Sequence, residues 1–303
     1  MTKPLRAELL LVLMTVIWGG TFVVIKTGLT DASPLLFLSL RFGVALLIGC
    51  AVWLVPVRRA LSRGIPRRTL VHGVVLGVLM FGGYGSQTFG LGYTTVAKSS
   101  LFTYSFALLT PVLQYLIARK RLATGNLVGL AVVVGGMYLF TSPAAGSLNL
   151  GDWATLGGAA VFAFYIVYLD RYSSEDDPII LTLLQFATTA ALALASSLVL
   201  ERPRVVWNGH LFFAIGYLSI LGSVVAVYVM SRFQKDTTPT KAVILYALEP
   251  IFSVAFGCLF LKETLDLKMI GGGLLVLAGV LTSELWAPRR RRPLETRRGE
   301  RLL

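Results

Sequence analysis

Charged residues are scarce in this chain, and acidic residues are scarcer than basic ones. Lys, Arg, Asp and Glu make up only 14% of the 303 residues, and hydrophobic residues make up 55%. An ordinary soluble domain has about 25% charged residues. The composition therefore excludes an ordinary soluble domain and predicts an integral membrane protein.

Cysteine and histidine are also rare, and the motifs of several protein classes are missing. Cys50 and Cys258 are far apart and form no CxxC, while His72 and His210 stand alone at the ends of predicted spans. The chain has no GxxxxGK[ST] phosphate loop, no HExxH and no GxSxG. We therefore expect no metal, no cofactor and no enzymatic activity. ATP-driven pumping by this chain alone is excluded.

Long uncharged stretches recur along the chain. A helix needs about 20 apolar residues to cross a bilayer, and most of the stretches meet this length. Where a stretch is short, Arg41 or Glu249 interrupts a longer apolar run. We predict an all-α integral membrane protein with ten transmembrane helices, at 9–25, 42–57, 69–97, 99–118, 122–151, 153–169, 178–200, 205–231, 251–261 and 269–283.

The net charge of +13 is unevenly distributed. With both termini in the cytoplasm, 21 of the 28 basic residues fall in inner segments and 4 in outer loops, leaving Lys26, Arg41 and Lys98 at or inside the membrane. This asymmetry fits the positive-inside rule and predicts a membrane protein with cytoplasmic N and C termini. The charge does not require nucleic acid as a partner. The tail at 288–303 is expected to bind anionic lipid headgroups.

The second part of the chain is similar to the first. The pairs offset by 143 residues are Thr94 with Thr237, Thr95 with Thr238, Lys98 with Lys241, Leu122 with Leu265, Gly129 with Gly272 and Gly136 with Gly279. The pairs offset by 144 are Trp18 with Phe162, Pro34 with Pro178 and Phe42 with Phe186. A nearly constant offset over several spans indicates a duplication.

The predicted halves are 1–146 and 147–287, followed by the basic tail at 288–303. Each half holds five predicted spans, and because five is odd, the second half enters the membrane from the opposite side. Inverted repeats recur in secondary transporters, whose substrate site lies near the midplane between the repeats. The sequence therefore predicts two inverted five-helix repeats.

Four motifs occur in a characteristic order. They are WGGTFVVIK at 18–26, LSLRF around Arg41, YTTVAKSSLFTYSFALLTPV at 93–112, which includes Pro111, and YALEPIFSVAFGCLFLKETL at 246–265. With the doubled five-span plan, they make the chain from about 7 to 285 resemble the drug/metabolite transporter superfamily, specifically the bacterial EamA type. The resemblance implies ten helices, cytoplasmic termini, a central cavity between inverted halves and often export of amino acids or related metabolites. It does not imply one substrate.

Charged residues inside predicted spans are the first candidates for a site. Glu249 could carry a coupling proton, or it could pack against other helices beside a kink at Pro250. Lys98 and Lys241 could hold an anionic substrate at opposite mouths, or their ammonium groups could snorkel to the interface. Arg41 could bind a substrate carboxylate, or cap backbone carbonyls and lock helices together, which is the favoured role.

Polar and aromatic side chains within spans complete the candidate set. The amides of Gln87 and Gln185 are expected to face the cavity, because lipid would leave them unsatisfied. Pro111 and Pro250 are expected to kink their helices. The aromatic residues could line a cavity for amphipathic solutes or simply pack; they are Trp18, Tyr84, Tyr104, Tyr165, Tyr168, Tyr228 and Tyr246.

These features favour a secondary carrier that exports a small metabolite, an amino acid or a related compound, by alternating access. Its partners would be a small-molecule substrate, membrane lipid and a proton as candidate coupling ion. A carrier for an anionic metabolite or a drug-like cation is one alternative, and a non-transporting membrane scaffold is another. Closure at each face is expected from the third, fourth, eighth and ninth spans.

Overall fold

The computed structural model describes residues 3–119, 124–140, 148–173, 175–226, 229, 233, 245–246 and 248–286. These residues are nearly all helical, and an isolated β-bridge joins Ala32 to Val205. The helices are α1 Lys3–Gly28, α2 Pro34–Val52, α3 Leu54–Arg63, α4 Arg67–Leu91, α5 Val96–Tyr104, α6 Phe106–Ala118, α7 Thr124–Phe140, α8 Leu150–Tyr172, α9 Pro178–Leu200, α10 Gly209–Gly216, α11 Glu249–Leu261 and α12 Leu267–Leu285. A π-helical segment, Tyr217–Val225, continues α10.

Six of the described segments are long and apolar enough to cross a bilayer. They are Leu5–Gly28, Pro34–Val52, Arg67–Leu91, Val96–Ile117, Leu150–Tyr172 and Pro178–Leu200. Four shorter apolar helices accompany them, at Leu127–Phe140, Gly209–Val225, Glu249–Leu261 and Leu267–Thr282. The chain therefore has the helical, multi-span character that its composition predicts, and the count of ten spans stays a prediction.

The second predicted span ends earlier than expected. The helix α2 stops at Val52, and α3 follows as a separate helix that carries Arg58, Arg59 and Arg63. No residue of α3 is buried, and its apolar Val55 and Leu61 are exposed. A short helix with one basic and one apolar side is typical of a membrane surface.

Glycines allow the last helix of each predicted half to pack closely together. A Cβ on Gly136 of α7 would lie 2.7 Å from the backbone nitrogen of Val276, and one on Gly279 of α12 would lie 2.7 Å from the carbonyl oxygen of Gly129. Small residues at such crossings let backbones approach. The GVVLG stretch at 73–77 acts similarly, because a Cβ on Gly73 would lie 2.5 Å from the Cβ of Leu184 on α9. Close packing at both crossings therefore depends on glycine.

The two histidines, isolated in the sequence, each find a carboxylate in the fold. Nδ1 of His72 donates to Asp176 at 2.6 Å, and Nδ1 of His210 donates to Asp31 at 2.5 Å. His72 lies near the start of α4, in the first predicted half, and Asp176 lies in the loop before α9, in the second. His210 lies at the start of α10, in the second half, and Asp31 lies in the loop before α2, in the first. The pairs lie at opposite ends of the bundle, since α4 and α10 begin at opposite ends.

Both carboxylates have a pKa below the ordinary Asp value. Burial by itself raises the pKa of Asp176, but hydrogen bonds from Thr69 and His72 and the charge of Arg68 lower it overall. The pKa of Asp31 is lowered chiefly by the hydrogen bond from His210 and then by that from Asn208. Each loop is therefore anchored by an ionised carboxylate.

Replacing Gly136 with Ala should destabilise the α7–α12 crossing. Overpacking a close contact costs about 1–3 kcal/mol, and the new methyl would meet backbone atoms at 2.7 and 2.8 Å. Gly135→Ala is the matched control, because nothing lies within 4 Å of its Cβ position. Thermal unfolding in detergent should show a lower midpoint for Gly136→Ala only, and equal midpoints for the two variants would contradict this packing.

Acidification should weaken the contact between Asp176 and α4. Because the folded-state pKa of Asp176 is depressed, its carboxylate stabilises the fold above the unfolded pKa of about 4, and this contribution is lost as pH falls through the folded pKa. Asp176→Asn should lower the unfolding midpoint at pH 7. Below about pH 4, the difference in midpoint between the variant and the wild type should become smaller. A difference that stays constant with pH would disprove this role.

Candidate functional site

The side chain of Arg41 is enclosed within the described bundle. It is 2% exposed, and its guanidinium carbon lies 4.9 Å from the ring centroids of both Phe42 and Tyr84. Its Nε and Nη1 atoms are buried without a hydrogen-bond partner. Neither nitrogen caps a backbone carbonyl, so the favoured role of Arg41 in capping carbonyls stays a prediction. The guanidinium presents unused donors.

A π-helical segment packs against Arg41 from the second predicted half. Ser219 Oγ donates to the carbonyl oxygen of Arg41 at 2.7 Å. A Cβ on Gly222 would lie 3.8 Å from Nη2 of Arg41 and 3.2 Å from Cγ2 of Thr21, so the segment approaches both α1 and α2 closely. Short π-helical stretches often occur at functional sites. The space around the guanidinium is thus bounded by α1, α2, α4 and this segment.

Glu249 lies at the start of α11, not in the middle of a helix. It is half-buried, and within the described part of the chain it forms no ion pair. Tyr84 interacts electrostatically with both Glu249 and Arg41. Both residues thus lie within electrostatic range of Tyr84, and they form no ion pair with each other.

The two prolines predicted to kink helices both lie within helices. Pro250 lies in the first turn of α11, where a missing backbone N–H costs little, and a turn at Leu248 precedes it. Pro111 lies inside α6, while the break between α5 and α6 falls earlier, at Ser105. The kinks at both prolines stay predictions.

Several predicted aromatic residues lie close to Arg41. Tyr84 packs edge-on between Phe42 and Phe162, with centroid distances of 5.2 and 4.9 Å. Trp18 packs against Tyr246 at 5.9 Å, and its Nε1 donates to the carbonyl oxygen of Gly222 at 3.4 Å. These contacts form two aromatic groups, and each group contains residues of both predicted halves.

The two glutamine amides are buried, as expected from the cost of exposing an amide to lipid. Gln185 is 3% exposed and accepts a hydrogen bond from the hydroxyl of Tyr165 at 2.7 Å. Gln87 is 5% exposed and donates to Thr103 at 3.2 Å. Both amides bind side chains of neighbouring helices, so their role in a cavity stays a prediction.

The remaining candidates lie away from Arg41 or outside the described residues. Tyr104 packs with Phe106 at 5.6 Å in the cluster between α5, α7 and α12. Tyr168 packs with Tyr172 at 5.7 Å near the end of α8. Tyr228 and Lys241 fall outside the residues that the structure describes.

Lys98 is buried and paired, so it neither snorkels nor presents a free ammonium in this structure. Its Nζ lies 3.3 Å from Oδ2 of Asp152 on α8, and both side chains are buried. Asp152 was not among the predicted site residues, although Asn149 and Asp152 have the spacing of a capping box. The sequence signal for its position was present, but its partner was not deducible from it.

No metal site is found in the described ranges. They contain no group of three His, Cys, Asp or Glu residues that could hold an ion. Cys50 and Cys258 are half-buried and form no disulfide. The site is thus built from a buried cation, an acid and aromatic rings.

Comparison with known proteins gives a consistent result. The model of the EamA-like transporter family matches residues 5–142 and again residues 149–284. The chain is 27% identical to an uncharacterized transporter of Archaeoglobus fulgidus over 285 residues, covering 93% of this chain and 87% of the relative. It is 26% identical to the uncharacterized inner membrane transporter YedA of Escherichia coli K12, covering 88% of this chain and 87% of YedA.

A solved crystal structure supports the fold. It is 20% identical to this chain, has a TM-score of 0.68, and the match covers 95% of this chain and 99% of that one. The family and the names of the relatives indicate a membrane transporter rather than an enzyme. Because the family model matches most of the chain, this protein belongs to the EamA-like transporter family.

Proposed function

We propose that this protein is a secondary carrier that exports small metabolites, amino acids or related compounds, across the bacterial inner membrane. It works by alternating access between two inverted five-helix halves, 1–146 and 147–287, with both termini in the cytoplasm. A proton is the candidate coupling ion. Transport driven by a gradient fits a chain that has no phosphate loop for ATP.

Three observations support the inverted arrangement. The six long and four shorter apolar segments number ten, five in each half, which is the number that this arrangement needs. The same family model matches each half once. The pairs His72–Asp176 and His210–Asp31 join equivalent elements of the two halves at opposite ends of the bundle.

The observation that carries the proposal is the guanidinium of Arg41. A buried charge is normally paired, because leaving it without hydrogen bonds is costly. Arg41 instead keeps Nε and Nη1 unpaired next to the rings of Phe42 and Tyr84 and a π-helical segment. Unused donors at such a place are suited to a carboxylate that arrives with the substrate.

Glu249 could bind the ammonium group of an amino acid whose carboxylate lies at Arg41. Glu249 and Arg41 both interact with Tyr84, so a small zwitterion could place its carboxylate at Arg41 and its ammonium at Glu249. A carrier for an anionic metabolite is the second candidate, because Arg41 alone would serve it. Retention of transport when the substrate lacks an ammonium group would favour this second candidate.

Counterflow in proteoliposomes tests the carrier. Proteoliposomes that contain the purified protein are loaded with one unlabelled amino acid or metabolite at a time. They should accumulate the labelled form of that compound saturably. The absence of saturable counterflow across a broad panel would contradict a carrier of these compounds. Protein-free liposomes measure the leak.

Arg41→Gln should weaken substrate binding without destabilising the fold. A hydrogen bond to a charged group contributes about 1.5–3 kcal/mol, so the KM for carboxylated substrates should rise roughly tenfold to a hundredfold. The unfolding midpoint should stay the same or rise, since an unpaired buried charge is removed. Arg59→Gln, on the exposed helix α3, is the control. A lower midpoint with unchanged KM would assign Arg41 to packing instead.

Glu249→Gln should abolish flux driven by a pH gradient while leaving intact the exchange, at equal pH, of substrates that lack an ammonium group. The reason is that an amide keeps the shape of the carboxyl group but carries no transferable proton. Glu175→Gln, an exposed acid at a loop, should behave like wild type. If Glu249→Gln retains its dependence on the pH gradient, the proton is not carried by this residue.

A further inference from the structure

The start of α5 is held by groups from three other parts of the bundle. It lies at the end where α1 and α4 finish and α8 begins, and this end is named here the Lys98 end. Nζ of Lys26 donates to the carbonyl oxygens of Thr94 and, at 3.3 Å, of Leu91. A cavity of about 560 Å³ opens at this end and is lined by Lys26, Tyr93, Thr94, Lys98, Asn149 and Asp266, among others.

One anchor of α5 is the carboxylate of Asp152. Its Oδ2 lies 3.3 Å from Nζ of Lys98 and accepts from the backbone nitrogen of Asn149 at 3.0 Å, while its Oδ1 accepts from the hydroxyl of Thr94. The capping box at the start of α8 fixes this carboxylate in place. Just inside the pair, the hydroxyls of Ser99 and Thr155 lie 3.4 Å apart, and both residues are fully buried.

The other anchor is Glu263, in the loop between α11 and α12. Its two carboxylate oxygens accept from the backbone nitrogens of Val96 at 2.7 Å and Ala97 at 3.1 Å. A carboxylate satisfies the unpaired N–H groups at a helix start and favours the positive end of its dipole. The loop is therefore attached to α5 by its side chain.

Both anchors join the two predicted halves. Lys98 and the start of α5 belong to residues 1–146, whereas Asp152 and Glu263 belong to 147–287. These contacts close the seam between the halves directly beside the cavity. They can persist only while α5 stays against α8 and the α11–α12 loop.

We propose that Lys98, Asp152 and Glu263 form a latch that closes the carrier at the Lys98 end and parts when this mouth opens. The proposal rests on the carrier function proposed above. It assigns the three residues a role in positioning helices, not in binding substrate.

An ion pair is physically suited to such a latch. A buried pair gains little net stability over apolar packing, because desolvation offsets the attraction between its charges. When the mouth opens, water hydrates both charges, so opening meets a small net barrier. Removal of one partner has a different effect, since the remaining buried charge strongly favours the hydrated, open state.

The sequence repeat gives both members of the Lys98–Asp152 pair a charged counterpart. The 144 offset assigns Glu8 to Asp152, and the 143 offset assigns Lys241 to Lys98. Glu8 lies on α1 near its start and is half-buried, and Lys241 lies outside the described residues. The latch proposed here consists of the described residues alone.

Labelling of a buried cysteine measures latch opening without any substrate. In a Cys50→Ser, Cys258→Ser background, Ser99→Cys places a thiol just inside the latch, and the full-length protein is held in nanodiscs that expose both faces. A water-soluble maleimide should label it slowly. Adding Lys98→Met should accelerate labelling at least tenfold, because Asp152 is left buried without its cation.

Two further variants separate latch opening from general damage. Lys98→Met with Asp152→Asn leaves no unpaired charge and should return the labelling rate toward that of the background protein. Glu263→Gln should accelerate labelling by a smaller factor, since the amide retains one acceptor for α5. Asp266→Asn is the matched control, because Asp266 lines the same cavity but caps its own helix, α12, and Asn serves equally well there.

An unchanged rate in Lys98→Met, or equal acceleration in Asp266→Asn, would overturn the latch. Acceleration that persists in the neutral double variant would also overturn it, by indicating lost packing instead of an uncompensated charge. If labelling behaves as expected while no counterflow is found, the latch stands and the carrier function fails. The reverse result leaves the carrier without this latch.

Discussion

Water is absent from the hydrocarbon core of a bilayer, so polar groups inside this bundle depend on one another. An unsatisfied polar group costs several kcal/mol in lipid, which makes pairing the rule for the protein interior. The described residues follow it closely: Lys98 is paired with Asp152, and the amides of Gln87 and Gln185 bind hydroxyls on neighbouring helices. Each of these contacts joins two helices, so polar satisfaction also fixes how the helices pack.

Arg41 departs from this rule. The hydroxyls of Thr88 and Ser253 are also buried without partners, but they carry no charge. The ring faces of Phe42 and Tyr84 offset part of the cost of the guanidinium through cation–π attraction. A stable fold would be easier to build with an apolar residue here, so the arginine fits a site whose partner arrives from outside the chain.

The described contacts between helices are of two kinds, close glycine packing and polar side-chain contacts. Glycines at the crossings between α7 and α12 and between α4 and α9 leave no room for a side chain at the glycine positions, so these helices pack closely. The start of α5, in contrast, is held by side-chain oxygens and an ammonium group that water can replace. A carrier needs both kinds of contact, because access can change only where contacts are exchangeable.

The sequence alone determined the class of the molecule. Its low charge, its recurring apolar stretches and its doubled motifs indicate a membrane bundle with two similar halves. These properties depend only on the order of the residues, so no structure is needed to see them. It also located Arg41 and Glu249, because a charge within an apolar run is visible without a structure. The start of α8 was marked as well, by the spacing of Asn149 and Asp152.

Only the tertiary structure decided which of these groups meet. The partners of Lys98, His72 and His210 lie 54, 104 and 179 residues away, and no periodicity in the sequence relates them. The structure placed Glu249 at a helix start and left Nε and Nη1 of Arg41 without hydrogen-bond partners, where the sequence allowed a mid-helix acid and a carbonyl-capping arginine. The physical reason is that composition and periodicity indicate whether each residue prefers lipid or water. Pairing between residues depends instead on the distances that packing sets between helices.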